Sequence, residues 1–255
     1  MSVTFDLSDD IVMITGGGRG LGRSIALGFA RAGATVAILG RDAKTLAVTA
    51  AELQAEGAKA VHFYTADIAD EAALTATVGT LRAETGDPTV LVNNAGINPW
   101  FRRAEHVSMS EWRQIMDVNL TAVFHCCTLV APTMLANQRG SIINITSVAG
   151  HVGLARSAAY CAAKGGLELL SKSLAIDWAD RGVRVNTVAP GYFQTDLTAG
   201  LEANDALAAK VIGHTPLGRF GRPEEVVAAC LYLASDASSY VTGQSLRVDG
   251  GFTAS

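Results

Sequence analysis

Three residues near the middle of the chain have the types and spacing for acid–base chemistry. Ser147 stands where an apolar run ends, Tyr160 follows it in the segment Ser157-Ala158-Ala159-Tyr160, and Lys164 comes four positions later. Positions i and i+4 of a helix lie on one face, so a helical segment would point the phenol and the ammonium together. An adjacent ammonium favours the phenolate and draws the phenol's pKa down from about 10, which suits proton exchange near neutral pH. A tyrosine and a lysine at this spacing also occur on ordinary helices. The chemistry therefore depends on what the remaining elements supply.

Those elements begin with a strand, Ile11-Val12-Met13-Ile14, followed by Thr15-Gly16-Gly17-Gly18-Arg19-Gly20-Leu21-Gly22 and a helix from about Gly20 to Ala32. Glycines between a strand and a helix permit a tight turn and a close backbone approach to a pyrophosphate, with the helix N-terminus behind it. No Lys-Ser or Lys-Thr pair follows, which excludes an ATPase phosphate loop. At the end of the second strand, Thr35 to Leu39, stand Gly40 and Arg41 with no acid; Asp42 reads as the start of the next helix. An acid at that place binds a ribose 2′-hydroxyl, whereas arginine suits a 2′-phosphate. Arg41, with Arg19 inside the turn, therefore favours NADP(H) over NAD(H); the alternative is that both arginines are solvated.

The alternation continues to the C-terminus. Strands are expected at Ala60 to Tyr64, Val90 to Val92, Ser141 to Ile145, Val183 to Val188 and Leu246 to Val248. Asp70 reads as a helix N-cap, Ser108 and Glu111 as a capping box for a long helix, and Pro223 as the first residue of a late one. Apolar strands without alternation imply a parallel sheet covered on both faces. The 255 residues are 49% hydrophobic and 17% charged, show no linker, and read as one domain over 1–255. A net charge of -4 with no basic stripe argues against nucleic acid. No apolar run reaches the length of a membrane span, and no secretory signal opens the chain. Four cysteines without C-x-x-C spacing suit a reducing cytoplasm, and the scattered histidines suggest no metal site.

With these motifs in order, the whole chain resembles the short-chain dehydrogenase/reductase family. Thr15 to Gly22 match its glycine turn, Asp67 its adenine-side acid, and Asn93-Asn94-Ala95-Gly96 the segment after the fourth strand. Pro190-Gly191 and Thr195 match its carboxamide-binding segment. The resemblance implies a Rossmann-type, doubly wound, mostly parallel seven-stranded sheet with helices on both faces. It implies hydride transfer between a nicotinamide and a secondary alcohol or ketone, with Asn119, Ser147, Tyr160 and Lys164 as the catalytic set. Tyr160 then acts as acid/base, Ser147 steadies the substrate oxygen, Lys164 lowers the phenol's pKa, and Asn119 holds a water leading to solvent. The implied cofactor contacts are Gly16, Gly18, Arg19, Gly20, Leu21, Gly22, Arg41, Asp67, Ile68, Asn94, Ala95, Gly96, Tyr160, Lys164, Pro190, Gly191, Phe193 and Thr195. A cytoplasmic homotetramer is also implied.

Substrate is less legible. Asn98, Trp100, His151, Arg156 and Tyr192 are expected to line the pocket, beneath a lid at about 192–215 hinged at Gly200 and Gly213. Gluconate 5-dehydrogenase-type members share Pro190-Gly191-Tyr192-Phe193 and the C-terminal Val248-Asp249-Gly250-Gly251, which favours a sugar acid or another small hydroxy or keto compound. Its carboxylate requires a cation, for which Arg156, Arg102 and Arg103 are candidates against a surface role. The alternative is a 3-oxoacyl-carrier-protein reductase. Of the two basic carrier-docking positions in those enzymes, one is kept as Arg181 and the other is Gln138, beside Arg139. A cofactor-binding regulator that has lost catalysis is a third reading, against which the intact Asn119, Ser147, Tyr160 and Lys164 argue.

Overall fold

In the computed structural model, which describes residues 5–195 and 198–254, the chain builds one seven-stranded sheet. Chain order is β1 (Ile11–Thr15), α1 (Gly20–Arg31), β2 (Thr35–Gly40), α2 (Ala43–Ala55), β3 (Ala60–Thr65), α3 (Glu71–Thr85), β4 (Val90–Asn93), α4 (Met109–Met116), α5 (Ala122–Ala136), β5 (Gly140–Ile145), α6 (Ala158–Trp178), β6 (Val183–Pro190), α7 (Ala199–Glu202), α8 (Asp205–His214), α9 (Val227–Ala234) and β7 (Ser245–Val248). The spatial order is β3-β2-β1-β4-β5-β6-β7 and every pairing is parallel, so "mostly parallel" becomes all parallel. The winding reverses between β1 and β4, which opens a crevice at the C-terminal strand ends.

Alternation within the apolar runs distributes their side chains between two cores. Val12, Ile14, Val36 and Ile38 face one layer, with Phe29 of α1, Leu53 of α2 and Cys230 of α9. Met13, Ala37 and Leu39 face the other, with Leu74 of α3, Cys127 of α5 and Leu167 of α6. Both faces of the central strands are buried, so a period-2 pattern is present without the alternation of apolar and polar residues that would display it.

The helix starts follow their caps. The Asp42 carboxylate accepts from the N–H groups of Lys44 and Thr45, Asp70 accepts from Ala73, and Ser108 and Glu111 close a reciprocal capping box. Pro223 opens a 3₁₀ turn, Pro223–Val226, that leads into α9. One expectation needs correction. The helical stretch Met109–Ala136 is long and apolar enough, by length and composition, to cross a membrane. Its apolar face is core: Ala122, Val123, Cys126, Cys127, Val130 and Met134 are buried against the sheet. This helix is not regular throughout. Asp117–Thr121 forms a π-helical turn, an inserted residue of the kind that re-aims side chains at functional sites.

Helices α1 and α9 approach closely at Gly28, where a Cβ would lie 2.1 Å from Val227 Cγ1. Gly28→Ala is therefore expected to destabilise the fold by about 1–3 kcal/mol through overpacking, seen as a lower urea midpoint at unchanged m-value.

Candidate active site

The crevice is a cleft of about 620 Å³ running from the glycine turn to Tyr160. Gly16 and Gly20 have φ of +67° and +54°, the left-handed region that favours glycine. At Gly22 a Cβ would lie 2.2 Å from the Gly16 carbonyl oxygen and 2.4 Å from Asn94 Nδ2. Asn94 itself ties β4 to this turn: its amide donates to the carbonyls of Thr15 and Gly16, and its N–H donates to Thr15 Oγ1. The first turn of α1 contains no acid, and Arg19 at its N-cap makes no side-chain capping bond. A glycine cradle ending on an uncapped helix N-terminus fits a dinucleotide's pyrophosphate. Every residue assigned above to the cofactor lines this cleft. Sequence reasoning missed Thr45 and Thr198, which also line it.

At the far strand ends, Arg41 stands 3.9 Å from Asp67, and Asp67 accepts from the Ala69 N–H. Asp42, engaged as the cap of α2, also lines this end of the cleft. Gly191, in the segment after β6, is pressed against β7's exit, where a Cβ would lie 2.8 Å from Asp249 Cα.

Ser147, Tyr160 and Lys164 converge on the opposite end of the cleft. Ser147 Oγ accepts from the Ala149 N–H and starts a 3₁₀ turn, Val148–Gly150, which leaves its own O–H to donate. Tyr160 is half-buried among Trp100, Ile115 and Ala163. Lys164 Nζ lies 5.7 Å from the Tyr160 ring centre and donates to the Ile145 carbonyl at 2.8 Å. The expected fall in the phenol's pKa is not what this geometry produces. Burial pushes Tyr160 up to about 12, and the Ser147 hydrogen bond opposes that rise. Burial also brings Lys164 down to about 8, opposed by the charge of Glu168.

Asn119 sits on the π-helical turn, fully buried. Its amide donates to the carbonyls of Ile97 and Ile115, and its Oδ1 accepts from the Ile97 N–H. The side chain therefore clamps the loop after β4 onto the helix. Asn119 Oδ1 and Lys164 Nζ both border Gly96, at 2.7 and 3.6 Å from where its Cβ would stand.

None of the five residues expected at the substrate lines this cleft. Trp100 packs in the cluster containing Tyr160, and Tyr192 packs edge-on to Phe252. Asn98 is buried with its Oδ1 unpartnered. His151 is held by Glu168 and Ser245, each 3.1 Å from its Nε2, and is absent from the cleft wall. Arg156 is exposed, with a left-handed backbone (φ +62°), and also stands outside that wall. Arg102 pairs with Glu111. Of the expected lid, Asp196 and Leu197 lie outside the described residues, and α7 and α8 form the remainder.

A parallel sheet that reverses its winding at a glycine cradle, with a serine, a phenol and an ammonium at the far strand ends, defines a dinucleotide-binding oxidoreductase site. Residues 16–253 match the family model described as enoyl-(acyl carrier protein) reductase, and the chain belongs to the short-chain dehydrogenase/reductase family. It is similar to the gluconate 5-dehydrogenase of Gluconobacter oxydans (strain 621H), with 40% identity over 98% of this chain and 97% of that one. It is also similar to a 3-oxoacyl-[acyl-carrier-protein] reductase of Chlamydia trachomatis, with 40% identity over 96% and 98%. A solved gluconate 5-dehydrogenase from Burkholderia cenocepacia J2315, in complex with NADP and tartrate, superposes with a TM-score of 0.94 at 38% identity, covering 98% of each chain.

Because the Gly22 Cβ would collide with the Gly16 backbone carbonyl as well as with the Asn94 side chain, Gly22→Ala is expected to weaken binding of a nicotinamide dinucleotide at least tenfold, about 1.4 kcal/mol. Fluorescence titration measures this, and unchanged far-UV circular dichroism checks that the fold persists.

Proposed function

We propose that the protein is an NADP(H)-dependent oxidoreductase that interconverts a secondary alcohol and a ketone on a sugar acid or similar small polyhydroxy compound. The observation that carries this reading is the convergence of Ser147, Tyr160 and Lys164 at one end of a cleft whose other end is the glycine cradle. Bound in the cleft, a nicotinamide supplies or accepts the hydride. The chain's residues handle the oxygen and its proton. Ser147, its lone pair engaged by Ala149, donates to the substrate oxygen and steadies charge developing there. Tyr160 gives its proton to that oxygen in reduction and takes it back in oxidation. Lys164 holds a positive charge beside the phenol, and Asn119 fixes the wall that seats it. Segment 192–215 serves as the lid, and 1–255 act as a single domain.

Arg41 in place of an acid supports NADP(H), as does the NADP in the Burkholderia cenocepacia relative. The tartrate in the same complex is a small hydroxy acid, which supports the substrate class. The second reading, reduction of 3-oxoacyl-carrier thioesters, is favoured by the Chlamydia trachomatis relative. Against it, Arg139 is committed to Asp10 at 3.1 Å, and Arg181 donates to the Asp177 carbonyl. A homotetramer in the cytoplasm completes the proposal; Phe124, Leu169 and Ile176 leave apolar surface exposed on α5 and α6 for assembly.

A substrate panel with both cofactors is expected to give the highest kcat/KM with a keto sugar acid and NADPH; a higher value with acetoacetyl thioesters would establish the second reading instead. With the best substrate, Tyr160→Phe is expected to lower kcat by about 10²–10⁴-fold and leave NADPH affinity within twofold. The pH profile of ketone reduction follows from the two shifts. Tyr160, raised to about 12, keeps its proton throughout the working range. Lys164, lowered to about 8, loses its charge first. The rate is expected to be level from about pH 6 to 7 and to fall as pH rises through about 8.

A further inference from the structure

Glu168 lies one helical turn beyond Lys164 and is 5% exposed. An ionised carboxylate at such a place is costly unless it is fully bonded and paired. Donors from separate elements converge on it. Thr146 Oγ1 donates to Oε1 at 2.5 Å, Thr187 Oγ1 of β6 to Oε2 at 2.8 Å, and Ser245 Oγ of β7 to Oε1 at 3.1 Å. His151 Nε2, from the turn after Ser147, stands 3.1 Å from Oε1.

Lys164 donates to the carbonyl of Ile145 and Glu168 accepts from the hydroxyl of Thr146. Two side chains one turn apart on α6 thus grip two consecutive residues at the end of β5, and the next residue is Ser147. The following turn lies flat on the same stretch of helix: a Cβ at Gly150 would stand 3.0 Å from the Lys164 carbonyl and 3.2 Å from Glu168 Cγ. The titratable groups around this grip are His151 from the turn, Lys164, Tyr160 and Cys161 from α6, and Tyr192 after β6. β6 and β7 present only hydroxyls to the carboxylate. A hydrophobic residue at 168 would bury as well, but it would neither hold Thr146 nor place a negative charge behind the lysine.

We infer that Glu168 is a positioning residue of the active site, its buried carboxylate fixing the Thr146–Ser147 strand end and serving as counter-charge to the Lys164 ammonium. The inference rests on the roles proposed above for Ser147, Tyr160 and Lys164. Removing a buried negative charge favours the deprotonated form of every neighbouring group, so the pH limits of the reaction move in one direction only.

Glu168→Gln is the test, read by pH–rate profile with NADPH and the best ketone, and by side-chain NMR titration of Lys164 in cofactor-free protein. The expected result is a kcat lowered roughly tenfold, with the alkaline decline and the Lys164 titration both moved to lower pH by about half a unit or more. The shift is expected to persist in a His151→Gln background. Glu168→Asp, which keeps the charge and shortens the reach, is expected to lower kcat several-fold with the profile in place; it also stands in should the amide variant fail to fold. Unshifted profile and titration in folded Glu168→Gln, a shift that vanishes without His151, or full kcat in Glu168→Asp would overturn the inference. A wild-type protein inert toward every ketone would instead overturn the proposed function.

Discussion

A lysine ammonium buried at the carboxyl edge of a parallel sheet is the constraint on which the site depends. Lys164 is 3% exposed, and water does not compensate its charge there. The surrounding groups make that burial tolerable: the Ile145 carbonyl, the Glu168 carboxylate one turn away, and a wall thinned at Gly96 so that Asn119 and Lys164 border the same space. A sheet edge offers carbonyls, a helix packed across it offers side chains at four-residue spacing, and the lysine sits where the two meet.

The polar groups behind this edge form a chain of their own through the core. Asn93 on β4 donates to Asn144 on β5, Asn144 donates to Ser171 on α6, and Ser171 donates to the Leu167 carbonyl. These bonds pin α6 to the sheet at a fixed height, while Glu168 pins it at the strand end. Tyr160 and Lys164 are thus held by a helix that cannot slide without breaking buried hydrogen bonds, each costly to leave unmade.

Much of this was readable from residue order. The glycine turn, the caps at Asp42, Asp70 and Ser108, and the apolar strands are signals carried by neighbours in sequence, and each element appears where those neighbours place it. What escaped depends on distance or on register. Arg139 meets Asp10, and Arg102 meets Glu111, only once the chain has folded. His151 turns toward Glu168 because a carboxylate on another element draws it there. The π-helical turn adds a residue without altering composition, so the long helix reads as uniform although Asn119 is re-aimed inward. For the phenol, spacing reveals the neighbouring cation and conceals the burial that pushes its pKa up.

The strand order carries a consequence for how the molecule comes into being. β1 is flanked by β2 and β4, and β4 in turn by β5, so the two halves of the chain meet along the β1–β4 seam. As the polypeptide leaves the ribosome, Ile11–Thr15 has one edge sealed by β2 while the other waits for Val90–Asn93. At that stage the glycine cradle still lacks Asn94, which ties it to β4, and the residues it serves have yet to be synthesised. An emerging or truncated chain therefore presents a bare strand edge and the beginnings of a binding site with nothing to act beside it, which makes the interval before that seam closes the stretch of biosynthesis most exposed to mispairing.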